Sequence, residues 1–434
     1  MQSASLFLTI ALLGPFAQGL SAADWPQYRG PNRDGVSTET GLLKSWPDAG
    51  PKLLWTYGET GRGYSGPAIV GDRLYISGGR DDTEYAIALD LAAQPPKEIW
   101  AAKIGPLFTW KGNEWNIGPN ATPTVDGDSL FALGGFGDLV CCETATGKER
   151  WRVNLPRDLG GEVNPIGGGL EKPTPLGWGY ACAPLVDGDK LICVPGGKQG
   201  LVAALDKKTG KVLWQSKAVT DQAPYASPIA VEIGGVKQYV VAINSGIVGV
   251  AAADGKLLWR YRREPAYDDV VIATPVVHDA HVFTTVGFGQ GCDLIKLKSE
   301  GAEFQVEKVY SNKNVQNRDG GVVRVGDYLY GHSEKGGWFC QEFKTGKTTW
   351  SERERLGRGS LTFADGRLYC CGEQGEVVLL EATSKEWTET GRFKLPKSSK
   401  QKRPSGGVWT HPVVANGRLY LRDQEYLFCF DVKP

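Results

Sequence analysis

"GDLVCCETATGKERW", residues 137–151, ends on a Thr-Gly-Lys turn followed, two residues on, by a tryptophan. The same ending recurs along the chain. "LVAALDKKTGKVLW" (201–214), "IVGVAAADGKLLW" (247–259) and "WFCQEFKTGKTTW" (338–350) all read glycine, lysine, two residues, tryptophan. Trp100, Tyr310 and Trp387 stand at looser versions of the same place, and Trp55 at another in "PKLLWTYGE".

A second pattern precedes each ending. "GPAIVGDRLYISGG" (66–79), "TPTVDGDSLFALGG" (122–135) and "APLVDGDKLICVPGG" (183–197) each place a Gly-Asp or Asp-Gly turn between two short apolar runs. That is the strongest short-range hairpin signal. Five further copies begin at Ser227, Thr274, Gly321, Ser360 and His411, which makes eight. A glycine-rich corner and a third strand follow each hairpin. The Thr-Gly-Lys turn then leads to a fourth strand that carries the tryptophan. Four antiparallel strands repeated eight times predict an all-β, eight-bladed β-propeller. The period, roughly 51 residues once 1–23 are set aside, suits such a blade.

The last copy stops at "LFCFDVKP" with no tryptophan-bearing fourth strand. The orphan strand is "LLWTY" (53–57), ahead of the first hairpin. The N-terminal strand is therefore expected to complete the last blade and close the ring, removing an exposed sheet edge. The domain reading is a signal peptide over 1–23, a lead-in over 24–52 and the propeller over 53–434.

Lysine plus arginine number 49, as do aspartate plus glutamate. A balanced charge argues against nucleic acid or an anionic membrane surface as partner. Residues 1–23 carry no charged side chain, and Ser21-Ala22-Ala23 offers small residues where a signal peptidase reads. This predicts export to the periplasm or the medium, with cleavage near Ala23 and no stable membrane insertion.

The turn-and-tryptophan motif resembles the pyrroloquinoline-quinone-type repeat, Ala-x-Asp, two residues, Thr-Gly-Lys, two residues, Trp, which 204–214 match fully. The resemblance covers nearly all of 53–434. It implies the propeller fold of the quinoprotein alcohol dehydrogenase-like superfamily, and a docking role between blades for Trp55, Trp100, Trp151, Trp214, Trp259, Trp350 and Trp387. It is compatible with two functions, because quinone-dependent dehydrogenases share it with non-catalytic scaffold propellers.

The cysteines bear on that choice. In the repeat register Cys141 falls with Ala204, Ala88, Cys340 and Cys429, a strand position restricted to small side chains. Cys141, Cys142, Cys370 and Cys371 are accordingly expected to be packed and redox-inert. Cys182 and Cys193 flank the Asp187-Gly188 turn, but a two-residue hairpin would make them a hydrogen-bonded pair, the less comfortable register for a disulfide. Free thiols are expected there.

Propeller sites lie on loops and at the channel mouth. Long connections at 101–120, 152–181 and 388–409 should emerge on one face, bringing Trp110, Trp115 and Trp178 with them and Tyr180 to the channel mouth. The position three before the recurrent proline should point into the mouth. Around the ring it reads Tyr64, Asn120, Ala181, Tyr225, Ile272, Asp319, Arg358 and Trp409, with Arg318 and His411 beside two of these. Such a set suits a planar or sugar-like ligand. No catalytic residue, metal site or resident cofactor is expected. The favoured reading is an exported, monomeric binding or scaffold propeller that takes a protein, peptide or carbohydrate on its loop face. The alternative is a dehydrogenase using pyrroloquinoline quinone with calcium, for which Asp319 is the one carboxylate at the mouth.

Overall fold

The computed structural model describes residues 24–110, 117–165, 176–264, 270–301, 303–401 and 406–434. Eight antiparallel sheets form the ring. Blades 1 to 7 occupy 68–106, 124–154, 185–215, 229–262, 276–312, 322–352 and 359–394. Blade 8 combines 413–431 with the strand Lys52–Tyr57. That strand pairs antiparallel with Tyr426–Asp431 and sets Trp55 opposite Cys429, so the N-terminal strand closes the ring as expected. Each blade turns its strands at Gly, Asn or Asp residues with positive φ, such as Gly127, Gly188 and Asn416. Only residues that tolerate the left-handed region fit there cheaply.

One transverse row explains the cysteines. Trp151 is the cross-strand partner of Cys141, which in turn pairs with Phe131. The rings of Phe131 and Trp151 meet 5.9 Å apart, over the small side chain between them. Blades 1, 6 and 8 repeat the arrangement with Tyr75–Ala88–Trp100, Tyr330–Cys340–Trp350 and Tyr420–Cys429–Trp55. The other four depart from it: blades 3 and 4 replace the first ring by Ile192 and Val240, and in blades 5 and 7 Leu294 faces Tyr310 and Leu379 faces Gly391. All nine cysteines are buried and free. The 182–193 pairing fails on register, because the hairpin centres one residue later, with Asp187 opposite Lys190.

The tryptophans lock blade to blade. A Cβ on Gly147 would sit 2.6 Å from the Trp100 ring, and one on Gly210 would sit 2.8 Å from Trp151. Trp100 Nε1 donates to Thr144 O, Trp151 Nε1 to Lys207 O and Trp350 Nε1 to Thr383 O, each in the following blade. Trp259 departs from the pattern and donates to Gln238 within its own blade. Trp387 lies just before its strand and meets Trp338 and Trp350 edge-on, facing back toward blade 6.

The lead-in crosses the channel before it joins the ring. Trp25 bridges Ile69 of blade 1, and Pro26 O accepts from Val125 N of blade 2. Arg33 donates to Ala183 O and Pro184 O before blade 3. On the far side Arg29 donates to Val322 O of blade 6, and Val36–Ser37 adds a parallel strand to blade 7. The segment then supplies Trp46, which lies over Gly391 and packs 5.9 Å from Tyr369. Blade 7 thereby receives from the N-terminus the ring that its own fourth strand lacks at Gly391.

Candidate functional site

A cavity of about 510 Å³ opens at the channel mouth. All eight residues at the position three before the recurrent proline line it, from Tyr64 round to Trp409, together with Arg318, Trp178 and His411. Blade symmetry brings them together, since equivalent positions in a closed ring converge on its axis.

One wall is aromatic. Tyr64 and Trp409 stack with centroids 5.1 Å apart. Tyr64 is held from both sides: Arg422 of blade 8 donates to Ser65 O and Gly61 O, and Tyr64 N donates to Pro119 O. A second pair, Trp178 and Tyr225, meets at 5.5 Å. Tyr225 Oη donates to Asn164 O and accepts from Trp178 N, which fixes the loop to blade 4. Asn120 Nδ2 reaches Trp178 O at 3.5 Å, and its Oδ1 has no hydrogen-bond partner.

The opposite wall is charged. Arg358 is clamped by Glu373 at 2.6 Å and lies 3.6 Å from Asp319. Glu373 also accepts from Trp409 Nε1 at 3.4 Å, coupling the two walls. Arg318 lies 3.7 Å from Glu334 and over the Phe288 ring. Burial pushes the Asp319 carboxyl above its usual range, against the pull of Arg358 and Arg318. Burial, with Arg29 nearby, pushes His411 down to about 3, so its ring is neutral at ordinary pH.

The floor is the lead-in. Trp25, Tyr28 and Arg29 line the cavity from beneath, and Tyr28 packs 5.6 Å from His411. Repeat reasoning missed these three because "WPQYRGPNRDG" (25–35) belongs to no repeat. Its three closely spaced aromatic and basic side chains were the one available signal.

Two of the expected residues lie elsewhere. Tyr180 is buried between blades 2 and 3, against Gly137, with its hydroxyl on Pro195 O. It follows the chain path of the loop but faces into the blade interface. Trp110 is outside the cavity and donates to Gly177 O, tying the first long loop to the second. Trp115 falls outside the described residues.

The cavity is a poor match for a quinone with calcium. Among the described residues that line it there is no cysteine, and the one carboxylate is Asp319, already beside Arg358. Cys141 and Cys142 sit inside a strand of blade 2, where burial pushes the thiols up to about 12 and about 11. Among the described residues, no cluster of three or more His, Cys, Asp or Glu could hold a metal, and no helix is long and apolar enough to cross a membrane.

Eight four-stranded blades, a tryptophan-turn lock and a mouth built from equivalent loop positions define a propeller of the pyrroloquinoline-quinone-like repeat class. The family described as outer membrane protein assembly factor BamB matches residues 89–352, and the chain belongs to that family. The outer membrane protein assembly factor BamB of Burkholderia pseudomallei is 22% identical over 276 residues, spanning 62% of this chain and 61% of that protein. The quinohemoprotein alcohol dehydrogenase ADH IIB of Pseudomonas putida is 27% identical over 196 residues, 43% of this chain and 26% of its own length. The crystal structure of BamB from Moraxella catarrhalis superposes with a TM-score of 0.58 at 15% identity, covering 88% of this chain and 99% of that one. That likeness is one of fold.

Proposed function

We propose that the protein is an exported, non-catalytic binding propeller whose mouth cavity takes a sugar-like ligand. The observation that carries this reading is the cavity itself, about 510 Å³, with two aromatic pairs on one side and Arg318, Asp319 and Arg358 on the other. Aromatic faces accept the apolar face of a sugar ring. Planar charged and amide groups hydrogen-bond its hydroxyls, and a cavity of this size buries most of a small ligand. The N-terminal floor makes the site a closed-ended cup, so the ligand enters from the loop face.

Family membership supports a module that works without chemistry, because an assembly factor by its name joins other components. It leaves the ligand open, which the cavity chemistry narrows. Among the described lining residues the dehydrogenase alternative finds neither a cysteine pair nor a calcium donor set.

Calorimetric titration of the mature protein with glucose, galactose and xylose and their disaccharides tests the reading. Saturable binding that Trp409→Ala removes supports it. No heat with any sugar, alongside tight uptake of pyrroloquinoline quinone with calcium, would turn the assignment toward the dehydrogenase.

A further inference from the structure

Three arginines and three carboxylates stand around the cavity, but they do not pair one to one. Arg358 is matched by Glu373, and Arg318 has Glu334. Asp319 is drawn to Arg358 at 3.6 Å. Arg29, on the floor, is left over. It is 4% exposed, and among the described residues its side chain hydrogen-bonds only from Nη2, to two neutral carbonyls, Asp34 O and Val322 O. Neither Nε nor Nη1 has a partner. The Asp34 carboxylate feels Arg29 but accepts from Val36 N and forms no ion pair with the guanidinium. His411 beside Arg29 is neutral and adds no counter-charge.

An arginine keeps its charge at any ordinary pH. A buried cation without a counter-ion is costly, and an anion brought near it recovers that cost. The lead-in pays for this placement with positive φ at Arg29 and Arg33, at 59° and 58°, a conformation unfavourable for these side chains. Glycines at 35 and 321 leave room for the guanidinium: a Cβ on either would come within 3 Å of it.

Resting on the sugar reading above, we propose that the N-terminal segment makes the cavity selective for an acidic sugar. Arg29 supplies the selecting charge from the floor, whereas Arg318 and Arg358 already face Glu334, Asp319 and Glu373. The ring of the ligand lies against Tyr64 and Trp409.

The test compares glucuronate, its uncharged methyl ester and glucose by calorimetry on the mature protein. Glucuronate should bind about tenfold tighter than the other two, the scale of one charge-assisted contact. That gap should vanish in Arg29→Met and persist in Arg29→Lys; it is read as the ratio of glucuronate to glucose affinity within each variant, so any change in glucose binding itself cancels. The methyl ester removes the charge from the ligand side, so the wild-type comparison stands even if Arg29→Met does not fold. Equal binding of all three, or a gap that survives in Arg29→Met, overturns the acidic preference and leaves the sugar site standing. Binding of none overturns both.

Discussion

Trp151 reaches across Cys141 to the ring of Phe131, 5.9 Å away, while its indole nitrogen donates to Lys207 O of the next blade. One side chain thus joins two strands of its own blade and two blades of the ring. Cys141 is small because the two rings close over it. Cys141→Ala should fold normally and lose less than about 1 kcal/mol, since Ala88 and Ala204 fill the same place. Cys141→Leu should cost about 1–3 kcal/mol by overpacking. Urea unfolding of the two variants checks this. A larger loss for alanine than for leucine would contradict it.

Blade 7 takes its ring from far away in sequence. Trp46 N donates to Thr390 O, and its side chain covers Gly391, where a Cβ would approach Trp46 Cβ at 2.6 Å. Trp46→Ala should destabilise by about 3–5 kcal/mol, and Gly391→Ala by about 1–3 kcal/mol. Because both act on one contact, the double variant should lose less than the sum. Strict additivity in a double-mutant cycle would show that the two residues are uncoupled.

Two N-terminal deletions should separate closure from site-building. Removing 24–57 takes away the fourth strand of blade 8 and exposes the Tyr426–Asp431 edge, so the melting temperature should fall sharply or folding should fail. Removing only 24–35 leaves the strand and Trp46 in place. It should retain the fold and lose the cavity floor, measured as a loss of sugar binding with a modest change in melting temperature.

His411 gives the fold an acid-side liability. The native state holds it neutral down to about 3, whereas the unfolded chain protonates it near 6.5. Below about 6.5 the unfolded state therefore binds the extra proton, and stability drops as pH falls toward 3, by at most about 1.4 kcal/mol per pH unit from this group. His411→Gln should flatten that part of the stability profile. An unchanged slope between pH 6 and 4 would place the proton uptake elsewhere.

The ring was legible because it repeats. The Thr-Gly-Lys turns, the hairpin glycines and the missing last strand all follow from a period that any copy can teach. Even the mouth could be read, since Tyr64, Asn120, Tyr225, Asp319, Arg358 and Trp409 occupy one recurrent position. The lead-in could not, because its partners are remote: Arg29 to Val322, Arg33 to Pro184, Trp46 to Thr390. Nothing local in "WPQYRGPNRDG" says where the segment will lie. Tyr180 ends the second long connection, which leads toward the mouth, but the backbone at Gly179 and Gly137 turns it into the blade 2–3 interface.

The central claim is that the mouth cavity binds without catalysing. The most direct measurement is a dye-linked oxidation assay of the mature protein supplied with pyrroloquinoline quinone and calcium, over alcohols and sugars, run beside calorimetric sugar binding on the same preparation. The account predicts saturable sugar binding, lost in Trp409→Ala, and no turnover above the free quinone. Quinone-dependent turnover that disappears in Asp319→Asn would contradict it.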